Sequence, residues 1–165
     1  MEDINILDKI QSEITQDYYK QHYPNDGQRF VGWYLRNIHL LDSMQAKSAM
    51  TDGAKDKQID AVYIDDDESK IYIIQGKFYT GPSVDATPVR EIISAHSQLT
   101  SDFATLQANA NPKLQTKLGE IANALENDGY SVVYELITTS TFTEEARKDI
   151  EAFQNKLAEE ESPLP

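Results

Sequence analysis

Apolar residues recur every three or four positions at the start of the chain. Ile4, Leu7, Ile14 and Tyr18 share one helical face, and Asp3 stands where a cap would. Tyr23-Pro24-Asn25-Asp26-Gly27 breaks that pattern. A second stripe, Phe30, Val31, Tyr34, Leu35 and Ile38, predicts a second helix packed on a core. Residues 44–50 read as a short strand, and Thr51-Asp52-Gly53 as a turn. The period then changes. Ile59 to Ile64 reads as a strand, Asp65 to Ser69 as a polar turn, and Lys70 to Tyr79 as a second strand ended by Gly81-Pro82. Together they predict a β-hairpin.

Helical spacing returns after it. Thr87 is placed to cap a helix with Pro88 at its first position, and Val89, Ile92, Ile93, Leu99, Phe103 and Leu106 form its apolar face. Asn111-Pro112 repeats the start signal, Leu114, Leu118, Ile121 and Leu125 continue the stripe, and Asp128-Gly129 closes it. Tyr130 to Ile137 is a nearly continuous apolar run, as in a strand buried on both faces. Thr143 caps a last helix carrying Ala146, Ile150, Phe153 and Leu157 on one side. The order α-α-β-β-β-α-α-β-α predicts an α/β fold. A hairpin joined by a helical crossover to a further strand makes a mixed β-sheet flanked by helices.

Composition narrows the reading. The 165 residues suit one domain, expected over 1–158. Residues 159–165 read as an acidic, proline-containing linker or tail, where a further C-terminal domain would attach. The chain has no Cys, which excludes disulfides, thiolate zinc sites and cysteine nucleophiles. No apolar run approaches the ~20 residues of a membrane span, and the acidic N-terminus lacks a signal-peptide pattern. The expectation is a cytoplasmic protein. The formal net charge of −13 argues against a domain held on nucleic acid by its overall charge.

Three residues carry candidate chemistry. Gln75 and Lys77 are two apart on one strand, so their side chains leave the same face. Asp60 sits on the partner strand, and a turn centred within Asp65–Ser69 places it opposite Gln75. A register shift of one residue would turn Asp60 to the wrong face. Polar groups led into by Ile73-Ile74 and followed by Ala61-Val62 need partners, or they cost stability. A carboxylate, an amide oxygen and a lysine together suit metal-assisted phosphodiester hydrolysis. Asp60, the Gln75 side-chain oxygen and the Gly76 carbonyl are the candidate ligands of Mg²⁺ or Mn²⁺. Lys77 would position the attacking water and stabilise charge developing on phosphate.

The run Asp56-Lys57-Gln58-Ile59-Asp60-Ala61-Val62-Tyr63, followed by Ile73-Ile74-Gln75-Gly76-Lys77-Phe78-Tyr79, resembles the core of the PD-(D/E)XK nucleases. It is closest to the branch with Gln-x-Lys, which includes Mrr-type endonucleases. It also resembles the N-terminal region of abortive-infection phage-resistance (AIPR) proteins, with Gln58 where that pattern has Gly. The resemblance implies a restriction-endonuclease-like fold, Mg²⁺ dependence and a nucleic-acid substrate, DNA before RNA. It implies a metal-dependent nuclease in phage defence, with a second copy of the chain as a candidate partner. The rival expectation is an inactive nuclease-like module that binds nucleic acid or a partner protein. One departure favours the rival. Relatives often draw another acid from the helix before the sheet, and here that helix offers Gln28, with Asp26 just before it and Glu13 one helix earlier.

Other candidates have plainer readings. Asp65-Asp66-Asp67-Glu68 lacks the spaced ligands of a calcium loop and reads as a solvated turn. His22, His39 and His96 have no metal-ligand spacing. Asp52 and Asp56 precede the hairpin, where Asp56 has a metal-assisting role as its second reading. Arg90 and Glu91 open the next helix; Arg90 reads as a phosphate contact or a surface ion pair.

Overall fold

The computed structural model describes residues 6–51, 59–78, 81, 83–126 and 129–161. Asp3, Asp52, Asp56, Tyr79, Pro82 and Asp128 lie outside the described residues.

The first predicted helix is two helices, α1 (Ile6–Ile14) and α2 (Asp17–His22). Gln16 takes extended backbone between them and starts the second. Then α3 (Asp26–Asn37) begins where Asn25 accepts the Gln28 amide at 2.9 Å. The strand expected over 44–50 is instead a helix, α4 (Ser43–Ala49). The reason is a capping box. Asp42 accepts the Gln45 amide at 2.8 Å, and the Gln45 side chain accepts the Asp42 amide at 3.0 Å. Ala46 and Ala49, three apart, then face the core. Only Met50 keeps strand character, as an isolated antiparallel bridge to Ala61.

The hairpin forms as expected. Strand β1 (Ala61–Asp65) runs antiparallel to β2 (Lys70–Lys77), with Ala61 opposite Ile74 and Asp65 opposite Lys70. The acidic turn between them is closed by Asp65 Oδ1, which accepts the Asp67 and Glu68 amides at 3.0 and 3.1 Å. A short strand β3 (Ser83–Val84) leads to α5 (Thr87–Ser101). Thr87 does not cap this helix; Ala86 holds that position, and the Thr87 amide donates to Asp85 at 2.9 Å. The single stripe expected to run on to Leu106 breaks at Asp102, and α6 (Phe103–Asn109) follows. Helix α7 (Pro112–Leu125) starts at Asn111, which accepts the Leu114 amide at 2.8 Å.

Strand β4 (Ser131–Thr138) runs parallel to β2, so the three-stranded sheet has the order β1-β2-β4 and is mixed. Its residues are half-buried, not buried on both faces as the apolar run implied. The reason is position: among the described residues, β4 is the last strand of its sheet. Strand β5 (Thr141–Phe142) pairs in parallel with β3, a two-stranded sheet that the sequence pattern does not signal. Helix α8 (Glu144–Glu161) ends the description, and Thr143 accepts the Ala146 amide at its start. Glu159 and Glu160 continue this helix instead of opening a linker.

Each face of the sheet buries one set of alternating residues. Val62, Ile71 and Ile73 pack against Ala95, Leu106, Leu114 and Leu118. Ala61 and Ile74 pack on the other side against Val31, Leu35, Ala46 and Ala49. The result is a mixed α/β structure with a small mixed sheet flanked by helices. Among the described residues, no helix is long and apolar enough to cross a membrane.

Candidate functional site

The site lies where β2 ends and its inward face stops being apolar. Ile71 and Ile73 are buried on that face, and Gln75 and Lys77 follow at the same spacing. Asp60 lies one residue before β1, outside the paired register that begins with Ala61 opposite Ile74.

Asp60 is held by its backbone from two directions. Its amide donates to the Ile74 carbonyl at 2.9 Å, and its carbonyl accepts the Thr51 amide at 2.8 Å. Thr51 is fully buried, its hydroxyl donates to the Ile59 carbonyl at 2.7 Å, and its own carbonyl accepts the Asn111 side chain at 3.0 Å. The cap of α7 thus steadies the residue that precedes β1. The Asp60 carboxylate then accepts the Gly76 amide at 2.7 Å, a charge-assisted bond that lays it over β2.

Gln75 is 2% exposed. Its Nε2 donates to Glu91 Oε2 at 2.5 Å, while its buried Oε1 has no hydrogen-bond partner among the described residues. Lys77 Nζ stands 3.7 Å from the same Glu91 oxygen. One acid on α5 therefore joins Gln75 and Lys77. Sequence reasoning noted Glu91 only as a helix-opening residue. The missed signal is its place in the apolar stripe: Glu91 is three residues after Pro88 and four before Ala95, both buried.

Gly76 has a packing reason to be glycine. A Cβ there would meet Val31 Cγ2 at 2.6 Å, so α3 approaches β2 only because this position is bare. The upstream acids are engaged elsewhere. Asp26 pairs with Arg29 at 3.2 Å, and Glu13 accepts the Trp33 indole N–H. Arg90 forms an exposed ion pair with Glu145 at 2.6 Å and Asp149 at 3.4 Å, its plainer reading.

The histidines serve other places. His96 bonds Tyr134 at 2.7 Å and Glu160 at 3.0 Å, joining α5, β4 and α8. His39 bonds Glu135 at 2.6 Å, and the Tyr34 hydroxyl donates to the other oxygen of that carboxylate. Burial alone would raise the Glu135 carboxyl, but the His39 and Tyr34 bonds outweigh it and hold it below its ordinary value of 4.5.

Chemically, the donor set is hard oxygen plus one ammonium. The Asp60 carboxylate and the orphaned Gln75 oxygen are ligands of the kind Mg²⁺ and Mn²⁺ take, with the Glu91 carboxylate on the Gln75 amide nitrogen. Among the described residues, no group of three His, Cys, Asp or Glu side chains stands ready to hold a metal. A cleft of about 660 Å³ near the hairpin turn is lined by Tyr63, Asp66, Lys117 and Tyr130, and by none of these site residues. No family model, curated protein or solved structure matches the chain.

Proposed function

We propose that this chain is a metal-dependent nuclease domain of the restriction-endonuclease-like class, acting on nucleic acid, with phage defence as its setting. One observation carries the reading. A buried amide oxygen on Gln75 has no hydrogen-bond partner among the described residues, within a cluster that also brings Lys77 to Glu91. A buried acceptor left alone costs about 1–3 kcal/mol. A divalent cation would offset that cost. The resemblance of the Asp60 and Gln75-Gly76-Lys77 segments to the Gln-x-Lys nucleases supports the same assignment.

Asp60 and Gln75 would hold Mg²⁺ or Mn²⁺, with the Gly76 carbonyl as a further candidate. When bound there, such a metal would supply Lewis-acid polarisation of a phosphate oxygen. Lys77 keeps an ammonium at the site to orient the attacking water and neutralise charge on the phosphate. Asp60, fixed by the Gly76 amide, keeps its carboxylate in place without reorganisation.

A second reading has its own observation. Gln75, Lys77 and Glu91 satisfy one another in part without any metal, as an inactive module would. Cleavage of DNA and RNA with Mg²⁺, by the parent and by Asp60→Ala and Lys77→Ala, decides between them. Loss of cleavage in both variants supports the nuclease. Binding without cleavage by the parent supports the inactive module.

A further inference from the structure

We propose that Glu91 is a positioning residue, whose carboxylate turns the Gln75 amide so that oxygen, and not nitrogen, faces the cation. The inference rests on the metal-dependent reading above and adds a residue to it. A glutamine amide is nearly symmetric in shape, and its two ends differ in donating or accepting. An ionised carboxylate only accepts. With Glu91 Oε2 at 2.5 Å, the nitrogen must face Glu91 and Oε1 must face away from it. At 2% exposure, water does not blur this choice.

The same Glu91 oxygen draws Lys77 Nζ to 3.7 Å. The ammonium is thereby kept off Gln75 Oε1, which stays without a hydrogen-bond partner among the described residues. A plain surface ion pair between Lys77 and Glu91 would not need a buried amide bonded to the same oxygen. The arrangement has the logic of carboxylates that orient metal-bound histidines from behind. A Gln-x-Lys strand brings no negative charge of its own next to the cation. Glu91 restores that charge one layer back, from α5.

Mn²⁺ binding to the full chain, followed by the electron spin resonance of the free ion, tests this without relying on cleavage. Glu91→Gln replaces the acceptor with an amide that can itself donate to Gln75 Oε1, and is expected to weaken Mn²⁺ binding at least tenfold. Exchanging the two residues, in Gln75→Glu combined with Glu91→Gln, restores one donor facing one acceptor. It is expected to recover the affinity to within a few-fold. Glu91→Asp keeps the charge but shortens its reach, and is expected to weaken binding severalfold, so the test stands even if Glu91→Gln does not fold. Parent-like affinity in Glu91→Gln and Glu91→Asp, with only a lower melting temperature, would overturn the positioning role alone. A parent that takes up no Mn²⁺ at millimolar concentration contradicts the metal-dependent reading, and the inference with it.

Discussion

Gly76 is constrained on two sides at once. Its amide is taken by the Asp60 carboxylate, and its missing side chain leaves room for Val31 of α3. Gly76→Ala forces a methyl group to 2.6 Å from Val31 Cγ2 in a packed core. Overpacking of this kind costs about 1–3 kcal/mol. Urea unfolding should show that loss as a lower midpoint at an unchanged slope. Glu135 yields a different test. Its folded carboxyl is held below the ordinary value, so its stabilising effect is fully present above about pH 4.5 and lost as pH falls below it. The groups facing it are His39, Tyr34 and Tyr72. Glu135→Gln should therefore be less stable than the parent at neutral pH, with the gap closing in unfolding curves taken below that value.

At the scale of elements, short-range signals decided what was legible. Asn111 before Pro112 and Thr143 before the last stripe both cap helices as expected, because a side-chain acceptor three residues from its backbone donor needs no tertiary context. The hairpin register was legible for the same reason, since a polar turn between two β-branched runs leaves little choice of pairing. The short element at α4 was misread because Met44 to Met50 is too brief for periodicity, and the Asp42–Gln45 capping box outweighs it. The apolar run of β4 suggested a central strand, yet side-chain composition does not reveal whether a further strand pairs beyond it. Asn111 has a second task, because its side chain donates to the Thr51 carbonyl next to the Asp60 support. Asn111→Ala should cost about 1–2 kcal/mol, a lost cap plus a lost hydrogen bond, read by thermal unfolding.

For the molecule as a whole, Gln75 and Lys77 were legible as polar residues that follow Ile71 and Ile73 on one strand face, and Asp60 as one that leads into Ala61-Val62. Glu91 was not, since its contacts with Gln75 and Lys77 span 16 and 14 residues and depend on how α5 crosses the sheet. The net charge of −13 bears on partners. Part of it lies far from the site, in the Asp65–Glu68 turn. A turn six residues up a strand is roughly 20 Å from Asp60, beyond the Debye length of about 8 Å at physiological salt. The turn's charge therefore adds little to the field at the site, while the net charge denies the domain a broad basic footprint. Without divalent metal, its affinity for DNA should fall in or below the weak non-specific range of about 10⁻⁴–10⁻⁶ M, measurable by fluorescence anisotropy.

The most direct test of the account is the rate of Mg²⁺-dependent phosphodiester cleavage by the parent against Lys77→Ala on the same nucleic acid, with melting temperatures recorded for both. Lys77 makes its ion pair at the surface end of the cluster, so its removal should leave the fold within the small stability change of a partly exposed pair. The variant's rate should be at least ~100-fold lower, the scale on which a positioned transition-state contact acts. Equal rates, or a parent that cleaves no phosphodiester with Mg²⁺ or Mn²⁺, would contradict it.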